Sequence, residues 1–183
     1  GNVDTGAFDP FPGIADACAA HGAWLHIDGA FGLWAAASSE RRHLATGVER
    51  ADSWATDAHK WLNVPYDSGI VLVRDEASLL ASTGYRGDYL VRGDGARDSC
   101  LYTPESSRRA RAIPIYAALR QLGRVGVGQL IDRSCEFARR AAQRLEAGGA
   151  TVFNDVVLNQ VLFSFDDDPV PIITRIQRDG TCW

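Results

Sequence analysis

Trp24-Leu25-His26-Ile27-Asp28-Gly29-Ala30-Phe31 is the stretch on which the reading of this chain turns. The run from Ala23 to Asp28 predicts a strand that ends in a carboxylate, and Gly29-Ala30-Phe31-Gly32 then turns the chain into a short Ala-rich helix. Upstream, Asp9-Pro10 reads as an N-cap followed by proline in the first helical position, with the helix running to His21 and stopping at Gly22. Downstream, residues 51–55 predict a second strand. Ser68-Gly69-Ile70-Val71-Leu72-Val73 is a short β-branched run of the kind found in buried strands, and Asp75 can cap the helix after it. Helices alternating with short buried strands predict an α/β fold with a mostly parallel sheet covered on both faces. Ligands on such sheets sit at the carboxyl ends of the strands, where Asp28 lies and near which His59 and Lys60 follow.

The pattern changes after this region. Residues 83–105 form a polar stretch without a period, punctuated by Gly84, Gly87, Gly93 and Gly95, and a loop of that length inside a compact domain is usually functional. Pro114 then opens a helix. Val127, Leu130, Ile131, Phe137, Ala138, Ala141 and Leu145 recur at helical spacing up to Gly148-Gly149. A strand over 161–165 and a partial helix after Pro171 begin a smaller α+β unit.

The bulk numbers exclude several classes. The chain has 183 residues, 46% hydrophobic and 23% charged, with net charge −4, which suits neither a disordered tail, nor a collagen, nor a strongly basic nucleic-acid binder. No apolar run approaches the roughly 18 residues of a membrane span, so neither nucleic acid nor membrane is expected as a partner. The four cysteines, Cys18, Cys100, Cys135 and Cys182, form no Cys-x-x-Cys pair and are too sparse for a disulfide framework, which predicts free thiols and a cytoplasmic location. There is no methionine, which leads us to expect a piece of a longer protein. Among 19 basic residues there is one lysine, Lys60, against 18 arginines.

That lysine carries chemistry an arginine cannot. A Schiff-base amine must be able to lose its proton; lysine can when desolvated, arginine effectively cannot. A carboxylate at a strand end suits a protonated heterocyclic nitrogen and raises its pKa, typically by about 1–3 pH units. The two needs coincide in a pyridoxal phosphate (PLP) enzyme, where lysine holds the aldehyde carbon and an acid keeps the ring nitrogen charged. Asp28 and Lys60, 32 residues apart, are the candidates. Ala30 lies on the same side of an extended segment as Asp28 and leaves room for a flat ring, while His26 can hydrogen-bond Asp28.

Together with Ala51-Asp52-Ser53-Trp54-Ala55-Thr56-Asp57-Ala58-His59-Lys60-Trp61-Leu62, the opening stretch resembles the group II PLP-dependent amino-acid decarboxylases, which include the glutamate and aromatic-L-amino-acid decarboxylases. Gly6-Ala7-Phe8-Asp9-Pro10 is similar to the glutamate decarboxylase branch. The resemblance implies a fold-type I (aspartate-aminotransferase-like) chain. Residues 1–112 would be the C-terminal half of the large PLP-binding domain, and residues 113–183 connecting helices and an incomplete small C-terminal domain. It further implies a Schiff base on Lys60, ring-nitrogen pairing by Asp28, ring packing by Ala30 and His59 near the cofactor phosphate. Asp57 matches a phosphate-contacting position that is often Asn; an Asp facing a dianion must turn away, towards His59 or a backbone donor, or be protonated. The ring-stacking histidine and most of the phosphate loop are expected upstream of Gly1. The mobile catalytic loop corresponds to about residues 84–105, with Tyr102 the nearest candidate for the tyrosine that protonates the α-carbon and Tyr85 and Tyr89 behind it.

The implied activity is decarboxylation of an amino-acid substrate by a homodimer, with the 183 residues inactive on their own. A PLP aminotransferase or carbon–carbon lyase of the same fold, or a catalytically silent truncated PLP-fold protein, are the alternatives. His26 and Asp28 lack further well-spaced ligands, so no metal is expected. Arg108, Arg109 and Arg111 could form a phosphate patch, but are expected to face solvent or hold carboxylates.

Overall fold

The computed structural model describes residues 1–84, 97–165 and 168–180. Its contacts divide the chain into two compact units, one of Pro10–Phe31 with Thr46–Gly123, the other of Gly1–Asp9 with Gly32–Ala45 and Arg124–Trp183.

The first unit carries the sheet. Helix α1 (Phe11–His21) starts one residue later than the sequence suggests: Pro10 holds the cap position and no side chain caps the helix, so Asp9 does not play that part. Pro12 falls in the first turn, where the missing N–H would be unbonded anyway. Gly22, at φ 60, closes the helix, and the Ala23 N–H donates to Cys18 O at 2.9 Å. Strand β1 (His26–Asp28) pairs parallel with β2 (Ser53–Asp57), His26 opposite Ser53 and Asp28 opposite Ala55. Beyond the ladder the two segments stay joined, with Gly29 N–H donating to Ala55 O at 2.8 Å and Asp57 N–H to Ala30 O at 2.9 Å.

Two expectations shift here. Strand β2 lies two residues later than the sequence suggests, because the Asp52 carboxylate is occupied with the Leu25 N–H at 2.8 Å and pairing begins at Ser53. Strand β3 (Gly69–Val73) is antiparallel to β2, not a parallel strand, and Val71 and Leu72 are half exposed. A parallel return needs a crossover of a dozen or more residues; the 11 residues between Asp57 and Gly69 form a turn instead. Helix α2 (Glu76–Thr83) is capped by Asp75 as the sequence predicts, its carboxylate accepting from the Ser78 N–H at 2.8 Å.

Helix α3 (Ala112–Ala147) is broken at Gly123, whose φ 61 and ψ −179 no helix accommodates, and the boundary between the units falls there. The helix opens at Ala112, which puts Pro114 in the first turn. In the second unit its buried stripe is Val127, Gly128, Ile131, Cys135, Ala138 and Ala142. Phe137 is 61% exposed and Ala141 is exposed as well, so the stripe read from hydrophobicity is rotated by small residues. A Cβ on Gly128 would sit 3.1 Å from Ala37 O, so the glycine permits close approach of the 3₁₀ turn Gly32–Ala37. Asp132 then accepts from Ser38 Oγ at 2.5 Å and from the buried Arg41 guanidinium. Burial pushes the Cys135 thiol up from its ordinary pKa. Strands β4 (Thr151–Val152) and β5 (Phe163–Ser164) pair antiparallel, so the strand expected over 161–165 is reduced to two residues. Helix α4 (Pro169–Arg178) is capped by Asp168.

Among the described residues no helix is long and apolar enough to cross a membrane, and no three His, Cys, Asp or Glu side chains cluster as a metal site. Ile131 is fully buried. In urea denaturation of the intact protein Ile131→Ala is expected to cost about 2–5 kcal/mol, against about 1 kcal/mol for loss of the α2 cap in Asp75→Ala.

Candidate active site

Lys60 and Asp28 are brought to one edge of the sheet by the parallel β1–β2 pair, in which both strands point their carboxyl ends the same way. Asp28 is the last residue of β1 and Asp57 the last of β2, and a turn carries Lys60 three residues further. The Lys60 side chain is 42% exposed, and its Nζ lies 2.9 Å from Asp57 Oδ2 and 5.9 Å from the centre of the Phe31 ring. Asp28 Oδ1 accepts the Ala30 N–H at 3.1 Å; its other oxygen has no hydrogen-bond partner among the described residues.

His59 is 9% exposed and fixed on three sides. Its Nδ1 accepts the Ser68 N–H at 2.9 Å, its ring stands 3.9 Å from that of Tyr66, and its Nε2 is 3.7 Å from Asp57 Oδ2. An Nδ1 that accepts is unprotonated, so the neutral ring carries its proton on Nε2, facing Asp57. Asp57 has thus turned towards His59, one of the ways open to a carboxylate at this position, and meets Lys60 as well.

His26 departs from the sequence reading. Its Nδ1 is bonded to Ser53 Oγ at 2.8 Å rather than to Asp28, because the parallel register sets Ser53 directly opposite, and the Trp24 Nε1–H donates to the same hydroxyl at 2.9 Å. Tyr102 lines an open cleft of about 1040 Å³ together with Asp57, Val71, Arg111 and Tyr116. Its hydroxyl donates to Glu76 Oε1 at 2.5 Å, and the Arg97 guanidinium lies 3.8 Å over its ring. The hydrogen bond to Glu76 raises the phenol above its ordinary pKa and keeps it protonated at neutral pH. Tyr85 and Tyr89 lie outside the described residues.

The arginines hold carboxylates. Arg111 grips both oxygens of Asp67, at 2.9 and 3.0 Å, while Arg109 donates to the carbonyls of Tyr66 and Asp67 at 2.8 and 2.9 Å. Arg108 pairs with Glu105 at 3.4 Å. The Arg111 hydrogen bond is the largest cause that lowers the Asp67 pKa to about 2. Asp67, Glu76, Ser53 and Ser68 escaped sequence reasoning. Pro65-Tyr66-Asp67-Ser68-Gly69 signals a turn, yet nothing in it announces partners more than 40 residues later.

The residues present fit PLP at two of its ends. Lys60 offers an accessible amine and Asp28 a carboxylate oxygen without a hydrogen-bond partner among the described residues, with the small Ala30 two residues beyond it. Such an arrangement of an amine and a carboxylate is one that an aldehyde cofactor with a basic ring nitrogen could use. The chain belongs to the pyridoxal-dependent decarboxylases, whose conserved domain matches residues 1–166. It is 34% identical over 146 residues to aspartate 1-decarboxylase of Aliivibrio fischeri, covering 80% of this chain and 26% of that protein. Over 151 residues it is 33% identical to human cysteine sulfinic acid decarboxylase, covering 80% of this chain and 31% of that one. The crystal structure of mouse CSAD superposes with a TM-score of 0.80 at 30% identity, over 90% of this chain and 35% of that chain. The fold is therefore fold type I, as the sequence resemblance implied, and the chain spans between about a quarter and about a third of the length of these relatives.

The lowered Asp67 pKa has a definite sign. A carboxylate ionised more readily when folded contributes stability that is fully present above its unfolded pKa, near 3.8, and is lost as pH falls towards 2. Acid titration of the intact protein is expected to give an Asp67 midpoint near 2 by carboxyl NMR. Asp67→Asn is expected to remove that part of the acid dependence of unfolding.

Proposed function

We propose that the protein containing this chain is an amino-acid α-decarboxylase that uses PLP, binds its amino-acid substrate at the β1–β2 edge and works as a homodimer in the cytoplasm. Residues 1–112 would supply the C-terminal half of the large cofactor-binding domain, and residues 113–183 the connecting helices and part of the small domain. The observation that carries the reading is the adjacency of Lys60, Asp57 and Asp28 at the carboxyl ends of two parallel strands, in a chain of this family.

When bound, PLP supplies an electron sink for the electron pair left on the α-carbon as carbon dioxide departs. The chain's own residues do the rest. Lys60 Nζ, once its contact with Asp57 is released and its proton lost, would be the nucleophile that holds the aldehyde carbon. Asp28, through the oxygen not bonded to Ala30, would hold a proton on the ring nitrogen. Ala30 would pack against the ring. His59, with Nε2–H directed at Asp57, would favour a carboxylate turned towards it and towards Lys60. Tyr102, protonated at neutral pH, would be the donor that returns a proton to the α-carbon, once released from Glu76 and brought within hydrogen-bond distance of its target.

The test is chemical trapping in the full-length protein. Borohydride reduction with PLP is expected to fix the cofactor mass on Lys60, and its recovery on another residue rejects the assignment. Lys60→Arg should abolish carbon dioxide release while leaving the fold intact, since a guanidinium does not lose its proton. Tyr102→Phe should lower kcat by about 10²–10⁴-fold, with PLP binding retained. A keto acid as the main product of the unsubstituted protein would identify an aminotransferase.

A further inference from the structure

We infer that Asp67, clamped by Arg109 and Arg111, is a positioning residue for Lys60, acting through Ser68 and His59. The inference rests on the reading of Lys60 as the cofactor-holding amine. The chain of contacts is continuous. Arg111 holds both Asp67 oxygens and Arg109 holds the two carbonyls of Tyr66 and Asp67, so the loop is gripped on its backbone and its side chain at once. The next residue, Ser68, is fully buried, and its Oγ donates to Pro65 O at 2.7 Å. Its backbone is bonded to the segment just before Lys60 from both sides: Ser68 O accepts the Ala58 N–H at 2.8 Å, and the Ser68 N–H donates to His59 Nδ1 at 2.9 Å. Tyr66, from the same clamped loop, stands against the His59 ring.

The Ser68 N–H therefore selects the His59 tautomer. With Nδ1 occupied as an acceptor, the ring proton must sit on Nε2, 3.7 Å from the Asp57 oxygen that lies 2.9 Å from Lys60 Nζ. Were the loop to slip, His59 Nδ1 would lose its donor, and the other tautomer would turn a lone pair towards Asp57 and replace attraction by repulsion beside the carboxylate that faces Lys60. Asp67 and Arg109 are exposed and Arg111 is partly so, and an isolated pair near the surface contributes little to stability. The clamp's bidentate and backbone contacts fix direction instead, which is what a planar guanidinium does and an ammonium does not.

The experiment uses the full-length protein, freed of cofactor and labelled with ¹⁵N-histidine, at a pH where His59 is neutral. The unsubstituted protein is expected to show one His59 tautomer, with Nδ1 unprotonated. Asp67→Asn and Arg111→Lys, both folded by thermal melting, are expected to show averaged His59 nitrogen shifts. PLP uptake by both should be roughly tenfold slower, the scale on which outer partners of a site act. Arg109→Gln leaves the Arg111 fork in place and serves as the milder variant if Asp67→Asn fails to fold. Folded variants that keep the single tautomer and the original uptake rate overturn the proposal, as does a lowered melting temperature with both readouts unchanged. Borohydride labelling of the unsubstituted protein is scored separately: a label away from Lys60 rejects the reading of Lys60, whereas an unchanged tautomer rejects the clamp.

Discussion

The parallel pairing of β1 with β2 is the constraint on which the site depends. Two strands running the same way end on the same side, so their last residues, Asp28 and Asp57, are delivered to one edge with no further instruction. Hydrogen bonds beyond the ladder, from Gly29 to Ala55 and from Asp57 to Ala30, keep the two departing segments together for another two residues. The turn after β2 can then present Lys60 beside Asp57. An antiparallel pairing of the same strands would have put the two carboxylates at opposite ends. Strand β3, which is antiparallel, contributes to the edge through its first residue, Gly69, opposite Asp57.

Charge is balanced locally around this edge. Asp57 lies against Lys60 and His59, Asp67 against Arg109 and Arg111, and Glu105 against Arg108. Each pair is partly exposed, so its direction in space matters more than its strength. The second unit solves a different problem with the same residue types. There Arg41 is buried and must be paired, and Asp132 meets both its guanidinium and the hydroxyl of Ser38. Removing Asp132 would leave the buried guanidinium with Glu40 alone, so that network helps to hold the unit together.

What the sequence made legible follows range. Local signals were read well: the Gly22 stop of α1, the Asp75 cap of α2 and the strand-end position of Asp28 all depend on neighbours within four residues. The family likeness of the two blocks around Asp28 and Lys60 reached further, because it carried spacing as well as residue type. Misreadings arose where a non-local partner decided the outcome. His26 was drawn to Ser53 by register, and β2 slid by two residues because Asp52 was already engaged. The buried stripe of α3 was rotated because Gly128 and Ala142 pack more closely than Phe137 could. The grip of Arg109 and Arg111 on Asp67 spans more than 40 residues and leaves no trace in local pattern.

Lys60 is the one side-chain amine of this chain, set against 18 arginines, and it stands partly open to solvent. Aldehydes condense reversibly with any accessible amine, so a lysine-rich surface offers many decoys that compete with the proper site. Guanidinium groups keep their protons at neutral pH and do not compete in this way. Across these 183 residues, positive charge is supplied almost wholly by a group inert towards aldehydes, and an aldehyde meets a single side-chain amine. Within this stretch, composition alone removes the competing amines before geometry acts.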